Sequence, residues 1–411
     1  MTKKLLSAKI IPAVLNSRNY RLFFIGQGIS RIGTWMTNLA TVWLVYQLTH
    51  SALMLGIVGF ISQIPCFFLT PFAGVILDRC NIHKLLILTQ KLAMFQSLML
   101  ATLTLSNSIN IWYIIGLSLF QGLIDAFDSP ARDTFIKDVV DKQEDLTNAI
   151  ALNFVLVTGA RLIGPAVAGI IIVSLGSGYC FLVDGISYVA VILALSNIKL
   201  QTQMLAIQKT NFWKQFKEGF SYTFANVHIR SILQMLALFS LFAMPYPTIV
   251  PIFASEILHG DASTLGFLTA AAGLGALFGG IYLNIRPIEL HSEKLMVFAT
   301  AICGIALIAF GISNILWFSL LMSLTIGFSG ILEIASSNTT LQTIVENDKR
   351  GRVMSLFTVT FVGIQPFGDL LTGSLAHKIG APNTLIICGS FCLMGAFLFA
   401  KHFPISSELQ T

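Results

Sequence analysis

Charge is scarce in this sequence. Lys, Arg, Asp and Glu make up 11% of its 411 residues and apolar side chains 55%, where a soluble domain carries roughly 25% charged residues. That excludes a water-soluble globule. It also excludes a dedicated nucleic-acid surface: the net charge is +6, but the positive residues are placed as a membrane orients them. Catalytic motifs are missing too. There is no His-Glu-x-x-His, no Gly-x-Ser-x-Gly and no phosphate-cradling glycine loop closed by lysine. Cys66, Cys80, Cys180, Cys303, Cys388 and Cys392 lie scattered in apolar stretches without ligand spacing, and they read as small buried hydrophobes. No enzyme, cofactor or metal site is expected. Without a nucleotide site, any work the chain does must draw on an ion gradient or on the gradient of its own cargo. The N-terminus is basic but shows no cleavage site, so no removable signal peptide is expected.

What is present is apolar length. Twelve stretches reach helix-spanning size, at 20–48, 52–77, 84–105, 110–130, 146–173, 179–198, 229–257, 262–285, 294–313, 315–337, 353–376 and 381–402. All Lys and Arg except Arg31, Arg161 and Lys378 fall on one side of these spans. The positive-inside rule then puts both termini in the cytoplasm of a multi-pass protein. Residues 199–228 are polar and basic, with Phe212, Trp213, Phe216 and Phe220 interleaved, as in an amphipathic helix lying on the cytoplasmic face. They divide the chain into a half at 1–198 and a half at 229–411, joined by a linker that could equally serve as a regulatory or docking segment. Gly164, Gly169 and Gly176 recur 204 residues later as Gly368, Gly373 and Gly380, which points to a duplicated six-helix unit. The fold expected is all-α, with two pseudo-symmetric six-helix halves around a central path.

Polar residues inside such spans are the candidates for chemistry. Gln27, Arg31, Trp35 and Asn38 share one face of span 1, and Arg31 sits about 15 Å deep at ~1.5 Å per residue. Gln121, Asp125, Asp128 and Arg132 share a face of span 4. Asp125 is the expected partner of Arg31, either in a wet cavity or as a static packing pair. Asp128 and Arg132 lie near the cytoplasmic end, as gate or anchor. Arg161 is the other deep cation. Glu333, Gln365 and Asp369 are the polar candidates of the second half, and Asp184 lies nearer the outer face. A carboxyl among Asp125, Glu333 and Asp369 could carry a proton. Met244-Pro245-Tyr246-Pro247 and Pro251 should break span 7. Phe239, Phe242, Tyr246 and Phe253 beside the break could line a substrate wall or simply pack.

Three stretches resemble the major facilitator superfamily. Gly74-Val-Ile-Leu-Asp78-Arg79-Cys-Asn81-Ile-His83-Lys84 is similar to its 2–3 loop, with Asn81 able to take a left-handed turn conformation. Gln121-Gly122 matches half of its span-4 motif, Ser118 standing where the family has arginine. Ala160–Gly169, with Gly164, Pro165 and Gly169, is similar to the helix-packing motif of its exporting antiporters. Gly26-Gln27, Trp43–Thr49 with Ser51-Ala52-Leu53, Ser129–Arg132, Asn148–Asn153 and Arg350–Ser355 carry the narrower likeness. They identify the chain with the transmembrane secretion effector, or enterobactin-exporter-like, branch. The resemblance implies proton-coupled export of a small amphipathic molecule, a siderophore or a drug, from the inner membrane of a bacterium by a monomer. Arg31 and Arg161 would suit an anionic cargo. It also implies a cytoplasmic gate of Gly74, Asp78, Arg79, Asp128 and Arg132, with Arg350 and Arg352 opening span 11 opposite Asp78. Uptake of a small molecule or iron chelate is the alternative within transport. A membrane sensor is the alternative outside it, and that reading would call for a soluble signalling domain.

Overall fold

The computed structural model describes residues 17–77, 80–140, 142–198, 226–285, 292–346 and 349–402, with Val14, Tyr222 and Thr223. Twelve membrane-length elements form: α1 (Arg18–Thr49), α2 (Ala52–Leu77), α3 (Ile82–Leu105), α4 (Ile111–Val139), α5 (Leu146–Leu175) and α6 (Ser177–Ser196), then α7 (Val227–Phe242, continued irregularly to Ile257), α8 (Ala262–Ile285), α9 (Ser292–Ile312), α10 (Leu316–Ile344), α11 (Arg350–Ile379) and α12 (Ala381–His402). No strand occurs among the described residues. Eleven of these are apolar enough to cross a membrane by composition. The exception is α1, the longest regular helix at 32 residues, whose polar side chains hold it below the hydropathy of the others. The amphipathic linker and the loop residues Asp78 and Arg79 lie outside the described residues.

Helix ends follow local chemistry. Asn110 caps α4 by accepting from the Tyr113 amide, and Asn226 caps α7 by accepting from those of His228 and Ile229. Asn81 does not adopt the left-handed turn expected of it. Its φ of −72° and ψ of 105° are extended, and its side chain caps α3 by accepting from the Lys84 amide at 3.0 Å. Helix α4 also runs past its expected end at residue 130 to Val139, with Pro130 inside it. Beyond the proline, Ala131, Phe135, Ile136 and Val139 recur at helical spacing and are buried in one cluster, so packing outweighs the lost hydrogen bond. The prolines of span 7 do break it: a turn follows Phe242, then a 3-10 turn at Tyr246–Thr248 and a π turn at Phe253–Ile257.

Within the first six helices, α1 packs on α5 and α6, α3 on α4 and α6, and α2 on α4. Within the last six, α8 packs on α10, α9 on α10 and α12, and α7 on α11 and α12. The two halves meet chiefly along two seams, α5 with α8 and α2 with α11. In lipid, helices gain little from hydrophobicity alone, so close backbone approach through small residues must hold such seams. A Cβ at Gly266 would lie 2.5 Å from the Pro165 carbonyl oxygen, and one at Gly169 2.7 Å from that of Ala262. On the other seam, a Cβ at Gly56 would lie 2.7 Å from the Asp369 carbonyl oxygen, and one at Gly373 2.7 Å from that of Ala52. These are the same contacts, shifted by 210 residues on α2/α8 and by 204 on α5/α11. The α5–α6 and α11–α12 turns repeat as well: Gly176 has φ +97° and Gly380 +84°, a conformation that glycine alone adopts readily.

Candidate functional site

The polar residues of the spans gather into four groups. The first binds α1, α3 and α4 together. Asp128 forms an ion pair with Arg132 one turn on and accepts from Thr89 Oγ1 at 2.6 Å and Gln90 Nε2 at 2.7 Å. Arg132 in turn donates from Nη1 to Gln27 Oε1 at 2.7 Å. All five side chains are buried. Gln27 thus joins the Asp128–Arg132 pair and not the surroundings of a substrate path. Arg31, one turn further along α1, lies within electrostatic range of Arg132, Asp128, Asp125 and Asp133. The ion pair expected between Arg31 and Asp125 does not form. Asp125 instead accepts from Gln121 Nε2 at 3.0 Å on its own helix, because the one-turn spacing brings these two together without help from α1. Asn38 is exposed and belongs to none of the groups.

The second group ties α1, α3 and α6. Asp184 Oδ2 accepts from Thr37 Oγ1 at 2.8 Å and Ser97 Oγ at 2.6 Å, while the Asp184 carboxylate also packs against the backbone at Gly33. Asp184 is 1% exposed. The third group sits in the α2–α11 seam: Asp369 accepts from Gln63 Nε2 of α2 at 2.7 Å and from Thr248 Oγ1, in the broken stretch of α7, at 2.6 Å. One carboxylate therefore holds three elements from both halves. Glu333 belongs with neither group. It is wholly buried, accepts from Ser337 Oγ at 3.0 Å, and leaves Oε2 without a partner. Gln365 is half-buried next to the seam.

The fourth group surrounds a cavity of about 50 Å³ between the halves. The first half gives it one residue, Arg161 of α5. The rest of the wall is Phe239, Ala243, Met244 and Tyr246 of α7, Ala276 of α8, Cys303 of α9 and Ile326, Gly327, Gly330, Ile331 and Ile334 of α10. Of the aromatics around the α7 break, Phe239 and Tyr246 thus face the cavity. Phe242 stacks on Phe391 at 4.5 Å and Phe253 packs edge-on against Phe310 at 4.9 Å. The Arg161 guanidinium sits over the Trp35 ring, 5.4 Å from its centroid, which orients the cation by its attraction to the π face. Trp35 can come this close because Gly164 lies beneath it: a Cβ there would stand 2.6 Å from that of Trp35. Of the motif in α5, then, Gly164 seats α1, while Pro165 and Gly169 face α8.

A further contact joins the halves at the ends of α1 and α7 that lead into the α1–α2 and α7–α8 turns. Tyr46 Oη donates to Glu256 Oε1 at 2.6 Å, and these two residues are themselves 210 apart. His50 and His259, four and three residues on, both turn the chain with positive φ, 45° and 51°. At the opposite ends, Gly74 lies in the last turn of α2, and Arg350 begins α11 with its Nε buried and unpartnered. Arg352 is half-buried one turn in. The polar partners Gln63, Thr89, Gln90, Ser97 and Thr248 escape a reading of the sequence that follows charge. Their signal is a lone amide or hydroxyl in an otherwise apolar span.

With this geometry in view, likeness to known proteins can be placed. The sequence model of a family described as transmembrane secretion effector matches residues 12–408. The staphyloferrin A transporter of Staphylococcus aureus is 26% identical over 93% of this chain and 96% of its own length. The macrolide efflux protein A of Streptococcus pyogenes is 20% identical over 94% and 95%, and the enterobactin exporter EntS of Shigella flexneri 22% over 90% and 87%. Among solved structures, a POT family transporter in complex with 5-aminolevulinic acid superposes with a TM-score of 0.76, at 11% identity over 94% of this chain and 96% of that one. That likeness speaks for the fold alone.

Proposed function

The chain belongs to the transmembrane secretion effector family, a branch of major facilitator transporters, and from that premise we propose that it exports a small amphipathic molecule, a siderophore or a drug-like compound, in exchange for protons. The observation that carries the reading is the cavity between the halves. Its wall takes one cation from the first half and an apolar and aromatic lining from the second, which is the surface that the polar end of an amphipathic cargo needs. Relatives named for siderophore export and for macrolide efflux support outward movement of such cargo. The uneven placement of Lys and Arg supports a bacterial inner-membrane protein with both termini in the cytoplasm.

Exchange needs a group whose protonation is felt by both halves. Asp128 is unsuited, being locked in its ion pair. Asp369 is the carboxyl we assign to the proton, because its two hydrogen bonds reach across the α2–α11 seam and into the broken part of α7. Loading it with a proton would remove one acceptor from that set and loosen the seam. Asp369→Asn should therefore leave cargo binding in place and abolish its dependence on a pH gradient.

The direct test compares iron-chelating and other small metabolites inside and outside cells that have or lack the gene, under iron limitation. Loss of a chelator from the medium with accumulation inside the deletion strain is the expected result. Unchanged secretion together with unchanged drug sensitivity would refute export. Reduced accumulation from outside would point to uptake.

A further inference from the structure

We propose that Arg161, Trp35 and Tyr246 form an anion-recognition point at one end of the cavity, so that the cargo presents a carboxylate or similar oxyanion there and lays its apolar body along α7 and α10. The proposal rests on the transport reading and specifies the cargo chemistry.

Arg132, although its Nε is buried without a partner among the described residues, has an ion pair to Asp128 and a hydrogen bond to Gln27, both within the first half. That is what a buried guanidinium requires, since a cation in a membrane protein must meet an anion, a carbonyl or water. The Arg161 side chain has neither a carboxylate nor a carbonyl partner among the described residues. No carboxylate lies within ion-pairing distance of it among the described residues, it donates no hydrogen bond there, and its Nε is buried without a partner. Its guanidinium lies against the face of Trp35.

Stacking holds the plane of the guanidinium but satisfies none of its five N–H donors, which point outward along the edge in a fork that fits a carboxylate. The cavity that Arg161 lines has no acidic side chain in its wall, and the Tyr246 hydroxyl is the other strongly polar group there. At about 50 Å³ it has room for roughly four waters by the ~10–15 Å³ each needs. A carboxylate end group fits; a whole cargo does not. Phe239 and Ile331 carry the wall onward in apolar material.

The test uses the full chain in lipid nanodiscs and a matched pair of fluorescent probes, 2-naphthoate and 2-naphthamide, which differ in charge and hardly in shape. Wild-type protein should bind the anion at least about tenfold more tightly than the amide, as expected for a buried charge-assisted hydrogen bond. Arg161→Gln should bring the two affinities together while naphthamide binding persists, which also shows that the variant is folded. Should that variant fail to insert, Arg161→Lys carries the test, because a point charge without the fork or the stacking should lose a substantial part of the preference. Equal binding of the two probes by wild type, binding of neither, or an undiminished preference in either variant would overturn the proposal. The assay is blind to direction. An anion preference that disappears with Arg161 stands even if the deletion strain secretes normally. Absence of the preference in wild-type protein, with export intact, removes the recognition point and leaves the export reading standing.

Discussion

Replacing Asp128 by Asn asks whether the Asp128–Arg132 pair is a gate or an anchor. The carboxylate is 2% exposed and meets donors on both oxygens: Thr89 and Gln90 on Oδ1, Arg132 on Oδ2. An amide cannot serve both. With its oxygen toward Thr89 and Gln90 it turns N–H groups at a cation, and flipped it turns them at two other donors. Arg132 keeps its charge, with Gln27 as its remaining partner. Removing one member of a buried pair costs roughly 3–5 kcal/mol, most of it the penalty of stranding the other. Over 411 residues, at ~2.1 cal/mol/K per residue, that is a drop of roughly 4–6 °C in melting temperature, and more where helices survive unfolding in detergent. The assay is heating of purified protein in detergent with the monodisperse fraction read by size exclusion. The double variant Asp128→Leu, Arg132→Met should recover most of the loss, because apolar side chains of similar volume replace such pairs at little cost. A melting point within about 1 °C of wild type for Asp128→Asn, with transport slowed, would refute the anchor and make the pair a gate.

Gly373→Ala should slow transport without impeding insertion, since its new methyl group would lie 2.7 Å from the Ala52 carbonyl oxygen and hold α11 off α2; overpacking of this kind costs about 1–3 kcal/mol, and transport at the wild-type rate would show that the seam tolerates the gap. Tyr46→Phe and Glu256→Met each remove the same bond between the halves, so the double variant should change transport no more than either single one, with a coupling of about 1 kcal/mol in a double-mutant cycle. Additive effects would mean the two act separately. Asp261, just before α8, has its carboxyl held below the usual range, first by the Ser263 hydroxyl and then by the amides of Ser263 and Thr264. A depressed carboxyl stabilises the fold above its unfolded range and loses that contribution as pH falls through its folded value, so Asp261→Asn should flatten the acid limb of a melting-versus-pH curve, and an unaltered limb would rule the cap out.

Spans and the duplication were legible in the sequence, because lipid leaves a helix few alternatives and glycines mark where backbones touch; which spans pair was not. The span-7 break was legible from its prolines. Partnerships were not. Arg31 and Asp125 looked like a pair because both are charged and deep, yet Gln121, one turn away on the same helix, took the carboxylate. Asp369 was visible as a buried acid, but Gln63 stands 306 residues before it, and no periodicity links two residues that meet only across a seam. Trp35 under Arg161 was legible only in part: Gly164 announced close packing, but the partner in that contact is set by the rotation of α1.

The two halves differ at the positions where their repeated contacts meet. Shifted by 204 residues, Pro165 corresponds to Asp369 and Arg161 to Gln365; shifted by 210, Gln63 corresponds to Gly273 and Trp35 to Pro245. The α5–α8 seam therefore has proline and glycine where the α2–α11 seam has a carboxylate and the amide that binds it. At these positions one seam is held by backbone and small side chains, which favours a fixed pivot. Its twin carries a titratable group joined to a broken helix, where one proton can alter the contact. Arginine faces the cavity from the pivot side, and its counterpart Gln365 is neutral. An ancestral dimer of identical halves would have presented both groups twice. Placing the cation on one seam and the acid on the other keeps them from neutralising each other as a buried pair, which the roles proposed above for the cation in cargo recognition and for the acid in proton exchange require. Arg161→Gln combined with Gln365→Arg should therefore fail to restore anion preference, because the relocated guanidinium would stand one helical turn from Asp369 and pair with it; a restored preference would show that the two seams are interchangeable.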